Sequence, residues 1–162
     1  MPELERGLKC LINSGYDLFI VTNQAGIARG YYSEETFHKF MVHILSKLEE
    51  KGIKISGYEY CPHHEDGIVD QYKKKCTCRK PNAEMIKRIL VKQGVAGKDC
   101  IIIGDKLSDL IAGQRAGIKS KYLLKDVSKI DELKDQCENM NFYHVKNWVQ
   151  FSLNIASLKI IS

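Results

Sequence analysis

The chain has 162 residues, 44% of them hydrophobic and 28% charged, with a formal net charge of +5. That length suits one domain with one sizeable core, and no stretch reaches the roughly 18 apolar residues of a membrane-spanning helix. The N-terminal MPELERGLKC lacks an apolar signal core, and the lysines are scattered, with no basic helix interleaved with aromatics. These features argue against membrane insertion, secretion and nucleic-acid binding and predict a cytoplasmic protein, which is expected to be a monomer.

In chain order, residues 18–22 (LFIVT) form a short β-rich run of the kind buried on both faces of a parallel sheet. Ser33 reads as a helix N-cap, with Glu34 and Glu35 in the first turn, a stripe of Phe37, Phe40, Met41, Ile44, Leu45 and Leu48 as core, and Gly52 as terminator. Residues 58–61 (YEYC) predict a strand, and Asn82 a cap for a helix closed by Gly94. Residues 100–104 (CIIIG) are the clearest buried strand, followed by a helix from about Ser108 to Gly117. A strand over 121–124, a helix over 128–137, a weak strand over 142–145 and a helix near 146–156 complete the pattern. Alternation of strand and helix predicts an α/β doubly wound sheet, whose ligands bind at the C-terminal ends of the strands.

Six cysteines in a cytoplasmic chain point to metal or reactive thiols before disulfides. Cys10, Cys100 and Cys137 lie apart, and Cys100 reads as a small buried hydrophobe. The other three belong to a Cys61-x-His63 pair and a Cys76-x-Cys78 pair within a polar loop of about 61–79. Residues at i and i+2 of an extended segment point the same way, so each pair can offer two ligands to one ion. Thiolates and an imidazole suit zinc in a closed, structural tetrahedral site. The alternatives are unrelated thiols in a flexible loop, or His64 in place of His63.

Three strand ends carry groups that can hold phosphate. Thr22-Asn23-Gln24-Ala25-Gly26 follows the first strand and is either a phosphate turn or a capped turn. Arg79-Lys80 follows the last cysteine pair and is either an anchor for a dianion or a solvated basic turn. Gly104-Asp105-Lys106-Leu107-Ser108-Asp109 places an acid at the end of a buried strand, suited to Mg2+. Asp109 or Ser108 can instead cap the next helix.

Taken together, VTNQAGIARGYYSEE, CPHH, CTCRKPNAEMI and IIIGDKLSDLIAGQRAGI, in this order, resemble the heptose bisphosphate phosphatases of the haloacid dehalogenase (HAD) superfamily, relatives of the histidinol phosphatases. The resemblance covers roughly residues 1–125. It implies a Rossmann-like HAD fold with helices on both sheet faces and no large cap, and a phosphoric monoester hydrolase with bound Mg2+ and structural zinc. The implied substrate is a sugar phosphate, D-glycero-D-manno-heptose 1,7-bisphosphate, which loses its 7-phosphate on the way to lipopolysaccharide core or related surface sugars; histidinol phosphate is the alternative. Thr22 would hydrogen-bond the transferring phosphoryl group, Asn23, Gln24 and Ala25 would border the substrate, and Lys80 would offset charge. Arg79 would aid recognition, Asp105 would bind Mg2+, and Lys106 would lie beside the substrate.

The family's opening D-x-D-G motif has no counterpart, since no D-x-D occurs in the chain. Its first Asp is the nucleophile and its second the general acid/base. MPELERGLKCLINSGYDL resembles the helix that follows that motif, so the sequence reads as a fragment or a late start, the alternative being a complete binding relative without the nucleophile. The first, central strand should be absent, leaving two strand edges to face a gap. Unsatisfied edges would cost more than the roughly 5–15 kcal/mol by which domains are stable, unless another segment fills the gap.

Overall fold

The structure is a computed structural model that describes residues 2–125 and 140–158, with side chains described to residue 155. The elements are α1 (Pro2–Asn13), β1 (Leu18–Asn23), α2 (Ala25–Ala28), α3 (Glu34–Glu49), β2 (Ile55–Cys61), α4 (Glu84–Gln93), β3 (Ile101–Gly104), α5 (Leu107–Arg115), β4 (Ser120–Leu124), β5 (Tyr143–Val145) and α6 (Trp148–Leu158). The expected helix over 128–137 and Cys137 lie outside the described residues. No described helix is long and apolar enough to cross a membrane.

Every described strand pairing is parallel, but the strands form two sheets, β1-β2 and β3-β4-β5. Alternate residues on a strand serve opposite faces. In β3, Ile101 and Ile103 join Leu11, Phe151 and Ile155 from α1 and α6, while Ile102 joins Ile86, Ala112 and Ile118 from the α4–α5 side. In β1, Ile20 packs with Phe37 and Met41 of α3, and Val21 with the α4–α5 cluster. Helices thus cover both faces, as expected for the α/β class. A Cβ on Gly7 would lie 2.5 Å from the Trp148 ring, so α1 and α6 approach closely there only because position 7 has no side chain.

Between β1 and β3 runs a cleft of about 1350 Å³. Every residue of both strands lines it. Consecutive residues point to opposite faces, so the cleft meets both strands at their edges. Among the described residues no strand stands between them. The expected penalty is softened, because a cavity far larger than the ~30 Å³ of one water lets edge groups be hydrated.

Several local expectations need correction. The 100–104 run is only half-buried, and β1 is fully buried only at Leu18, because their edges open on the cleft. Cys100 is likewise half-buried, its thiol turned to the Ala96 carbonyl. Phe40 is 58% exposed, since only the Phe37–Met41 face of α3 meets the sheet. Asn82 does not cap α4; its amide donates to the Cys76 carbonyl (3.3 Å), and Ala83 takes the N-cap position. The predicted Ser33 cap forms, its hydroxyl accepting from the Thr36 N–H (3.1 Å), and Gly94 closes α4 in the left-handed region (φ 64°).

Candidate active site and metal loop

The ligand atoms of Cys61, His63, Cys76 and Cys78 all lie within 4.8 Å of one another. Cys61 Sγ is 3.5 Å from Cys76 Sγ and 3.1 Å from Cys78 Sγ, and His63 Nδ1 is 3.3 Å from Cys78 Sγ and 3.8 Å from Cys61 Sγ. A zinc tetrahedron with Zn–S of about 2.3 Å has edges of about 3.7 Å, so only small shifts would let the four donors hold that ion. Cys61 comes from the end of β2 and is fully buried, and the others come from the loop that follows. Burial, and for Cys61 hydrogen bonding with Cys78, pushes the Cys61 and Cys78 thiols up. Burial also acts to raise Cys76, but the Arg79 backbone N–H and its two sulfur neighbours bring it down overall. Buried sulfurs of this kind become thiolates when a divalent cation offsets their charge. Burial, with help from the Lys74 charge, lowers His63 toward the neutral imidazole that a metal needs. His64 is outside the quartet, its ring lying 3.3 Å from the Arg29 guanidinium.

The loop is anchored by a polar network that the sequence did not signal. Tyr72 from the loop and Tyr60 from β2 donate to the two oxygens of Glu34 in α3 (2.7 and 2.6 Å). His38 bridges Tyr60 (3.0 Å) and Tyr58 (2.9 Å). The Tyr60 and Tyr72 hydroxyls hold the Glu34 carboxyl below the usual carboxylate range. Glu34 and His38, one turn apart on α3, and Tyr58 and Tyr60, two apart on β2, are the trace of this network in the sequence.

Thr22, Asn23, Ala25, Arg79, Lys80, Asp105 and Lys106 all line the cleft between the sheets. Gln24 stands behind it, donating to the Thr22 hydroxyl (2.9 Å) and accepting from the Tyr32 hydroxyl (2.6 Å), so it orients Thr22 and does not border the cleft. Asn23 grips the Lys80 backbone from both sides, its amide N–H donating to the Lys80 carbonyl (3.1 Å) and its oxygen accepting from the Lys80 N–H (3.0 Å). The Lys80–Pro81 peptide is cis. The Lys80 ammonium donates to the Val21 carbonyl (2.6 Å) and pairs with Asp109 (2.6 Å), the two side chains being 11% and 10% exposed. Arg79 donates to the His63 carbonyl (3.4 Å), tying the guanidinium to the metal loop.

Asp109 is the functional residue that the sequence reading left open. It is buried, holds Lys80 with one oxygen, and accepts the Lys106 N–H with the other (3.2 Å), so it is both a cap and a charge partner. A Cβ on Gly104 would collide with the Asp109 side chain, which is why the strand can pass so close to it. An acid one helical turn after Asp105 was the available signal. Asp105 itself is exposed at the end of β3, and Lys106 beside it is exposed as well. Mg2+ commonly takes one or two protein carboxylates together with waters and substrate phosphate, a role for which Asp105 is free and Asp109 is engaged.

A parallel α/β sheet with cationic, hydroxyl and carboxylate groups gathered at strand ends is an arrangement chemically suited to holding phosphate. The HAD-hydrolase-like family model matches residues 77–147. A D-glycero-alpha-D-manno-heptose-1,7-bisphosphate 7-phosphatase of Photorhabdus laumondii is 46% identical over 74% of this chain and 65% of its own length. A second 7-phosphatase, from Campylobacter jejuni, is 38% identical over 82% of this chain and 74% of its own length. The chain belongs to this heptose-1,7-bisphosphate 7-phosphatase family, and spans about two thirds to three quarters of the length of these relatives. In fold it is similar to a HAD-like phosphatase of Mesorhizobium loti (TM-score 0.82, 24% identity, 99% of this chain and 74% of that one). It is similar also to the D,D-heptose 1,7-bisphosphate phosphatase of B. bronchiseptica, solved with magnesium and phosphate (TM-score 0.79, 21% identity, 98% of this chain and 84% of that one).

Proposed function

We propose that this chain serves removal of the 7-phosphate from a D-glycero-D-manno-heptose 1,7-bisphosphate, in the cytoplasm, for lipopolysaccharide core or related surface sugars. The 162 residues act as one HAD-like domain and as a monomer. The observation that carries this reading is the gathering of Thr22, Arg79, Lys80, Asp105 and Lys106 on one cleft at the C-terminal ends of parallel strands. Phosphoryl transfer depends mainly on positioning and on offsetting charge, and these residues supply both. The Thr22 hydroxyl, set by Gln24, donates to the transferring phosphoryl group. Lys80 offsets its charge, held in place by Asp109 and the Asn23 clamp. Arg79 recognises the substrate from the edge of the metal loop, with Ala25 and Lys106 beside it.

Zinc on Cys61, His63, Cys76 and Cys78 is structural, since four protein donors leave no open position. Asp105 would hold Mg2+, which when bound neutralises phosphate charge. Lys80 is already paired to Asp109, and that observation carries a second reading: a relative that binds phosphosugars without turning them over.

The test measures phosphate release and binding by the zinc- and magnesium-loaded protein with heptose 1,7-bisphosphate and with histidinol phosphate. Release from the heptose bisphosphate with kcat/KM at least about tenfold above histidinol phosphate supports the first reading. Tight binding of the heptose bisphosphate without release supports the second. Preference for histidinol phosphate, or binding of neither compound, contradicts both.

A further inference from the structure

Two guanidiniums hang from adjacent residues of the metal loop. Arg79 donates to the His63 carbonyl, and Arg29, just beyond α2, lies 3.3 Å from Nε2 of His64. The other nitrogen of the His64 ring faces the Asp66 side chain (3.7 Å) and backbone, so the ring is fixed on both sides. Both arginines are half-buried and line the cleft that holds Thr22 and Lys80. Among the described residues neither has a carboxylate partner within ion-pair distance, in contrast to Lys80, which has Asp109. Two cations without counter-charge, aimed into one cleft by a stapled loop, are suited to a second dianion, since a guanidinium fork matches phosphate oxygens in pairs.

The position also fits. α2 separates Arg29 from Ala25 by about 6 Å at 1.5 Å rise per residue, so the two stand at different points of the cleft that both line. We infer that Arg29, acting with Arg79 and oriented by His64, is a specificity-determining residue that binds the phosphate that is not transferred, so that the cleft selects a bisphosphate over a monophosphate. The inference rests on the heptose bisphosphate reading above. It adds a role for a residue that lies outside the Thr22–Ala25, Arg79–Lys80 and Asp105–Lys106 groups.

Calorimetric titration of the zinc-loaded protein with heptose 1,7-bisphosphate and with heptose 7-phosphate tests it, and serves whether or not the chain turns substrate over. The unaltered protein should bind the bisphosphate at least about tenfold tighter than the monophosphate. Arg29→Gln should remove that advantage, weakening bisphosphate binding by about ten- to a hundredfold and leaving the monophosphate within about twofold. Arg29→Lys, which keeps the charge and loses the fork, should recover part of it. Equal weakening for both compounds, loss of the zinc in both variants, or an unchanged preference in Arg29→Gln overturns the inference. Failure of the underlying reading looks different: the unaltered protein would then prefer histidinol phosphate to either heptose phosphate.

Discussion

The two walls of the cleft are built in opposite ways. On the wall formed by β1 and the Cys/His loop, each group proposed to face phosphate is held by a second group: Thr22 by Gln24, the Lys80 backbone by Asn23, the Lys80 ammonium by Asp109, and Arg79 by the His63 carbonyl. On the wall formed by β3 and α5, Asp105 and Lys106 are exposed at the strand end, and only Asp109 is buried. The first wall is arranged before any ligand arrives, which strengthens fixed electrostatic interactions with a phosphate. The second leaves exposed the carboxylate proposed to hold a hydrated cation, which would retain waters and share substrate oxygens. Changes on the first wall should therefore cost stability as well as binding, and changes on the second should cost binding alone.

The largest effect is expected at the staple of the first wall. Cys61→Ser should lose the bound zinc and on the order of 5 kcal/mol of stability, less than the ~10–16 kcal/mol of a structural zinc in small peptides because the sheets persist. Metal analysis and thermal unfolding check it. Lys80→Met should cost about 3–5 kcal/mol, because it leaves Asp109 buried without its cation. Adding Asp109→Leu should return much of that stability while phosphate binding stays lost, which separates the structural worth of the pair from its use. On the second wall, Asp105→Asn should move stability by less than about 0.5 kcal/mol, as exposed changes do, while abolishing the Mg2+ dependence of phosphate binding.

A smaller effect than at Cys61 or Lys80 is expected at the anchor of the metal loop. The Tyr60 and Tyr72 hydroxyls lower the Glu34 carboxyl in the folded protein, so its contribution is present above the unfolded carboxylate pKa and fades as pH falls through the lowered value. Glu34→Gln should cost about 1 kcal/mol at neutral pH and flatten that part of the acid limb of a stability–pH curve. An unchanged acid limb would remove Glu34 from the account.

What the sequence disclosed divides along the same line. The quartet of Cys61, His63, Cys76 and Cys78 was legible because metal ligands must recur at short spacings on extended chain, and the structure brings their donor atoms together. The Ser33 cap and the Gly94 terminator were legible for the same local reason. Asn82 misled because a short amide serves a cap and a loop carbonyl equally well, and the tertiary contact to Cys76 won. Phe40 misled because helical spacing marks an apolar stripe without marking where the covering sheet ends. The Lys80–Asp109 pair joins residues 29 apart on two elements, and the Asn23–Lys80 clamp joins residues 57 apart, so no local pattern could reveal either. The half-exposure of β3 follows from the separation of the two sheets, which the apolar run of Ile101–Ile103 by itself could not disclose.

The central claim is that the metal loop holds Arg79 and Lys80 over the phosphate. Titrating heptose 1,7-bisphosphate into the zinc-loaded protein, and again after chelation has removed the zinc, tests this most directly, with far-UV circular dichroism reporting the sheets and helices. The account predicts binding weakened by at least about tenfold with the circular dichroism largely retained, since the zinc organises the loop and not the sheet. Unchanged affinity in the zinc-free protein would contradict it.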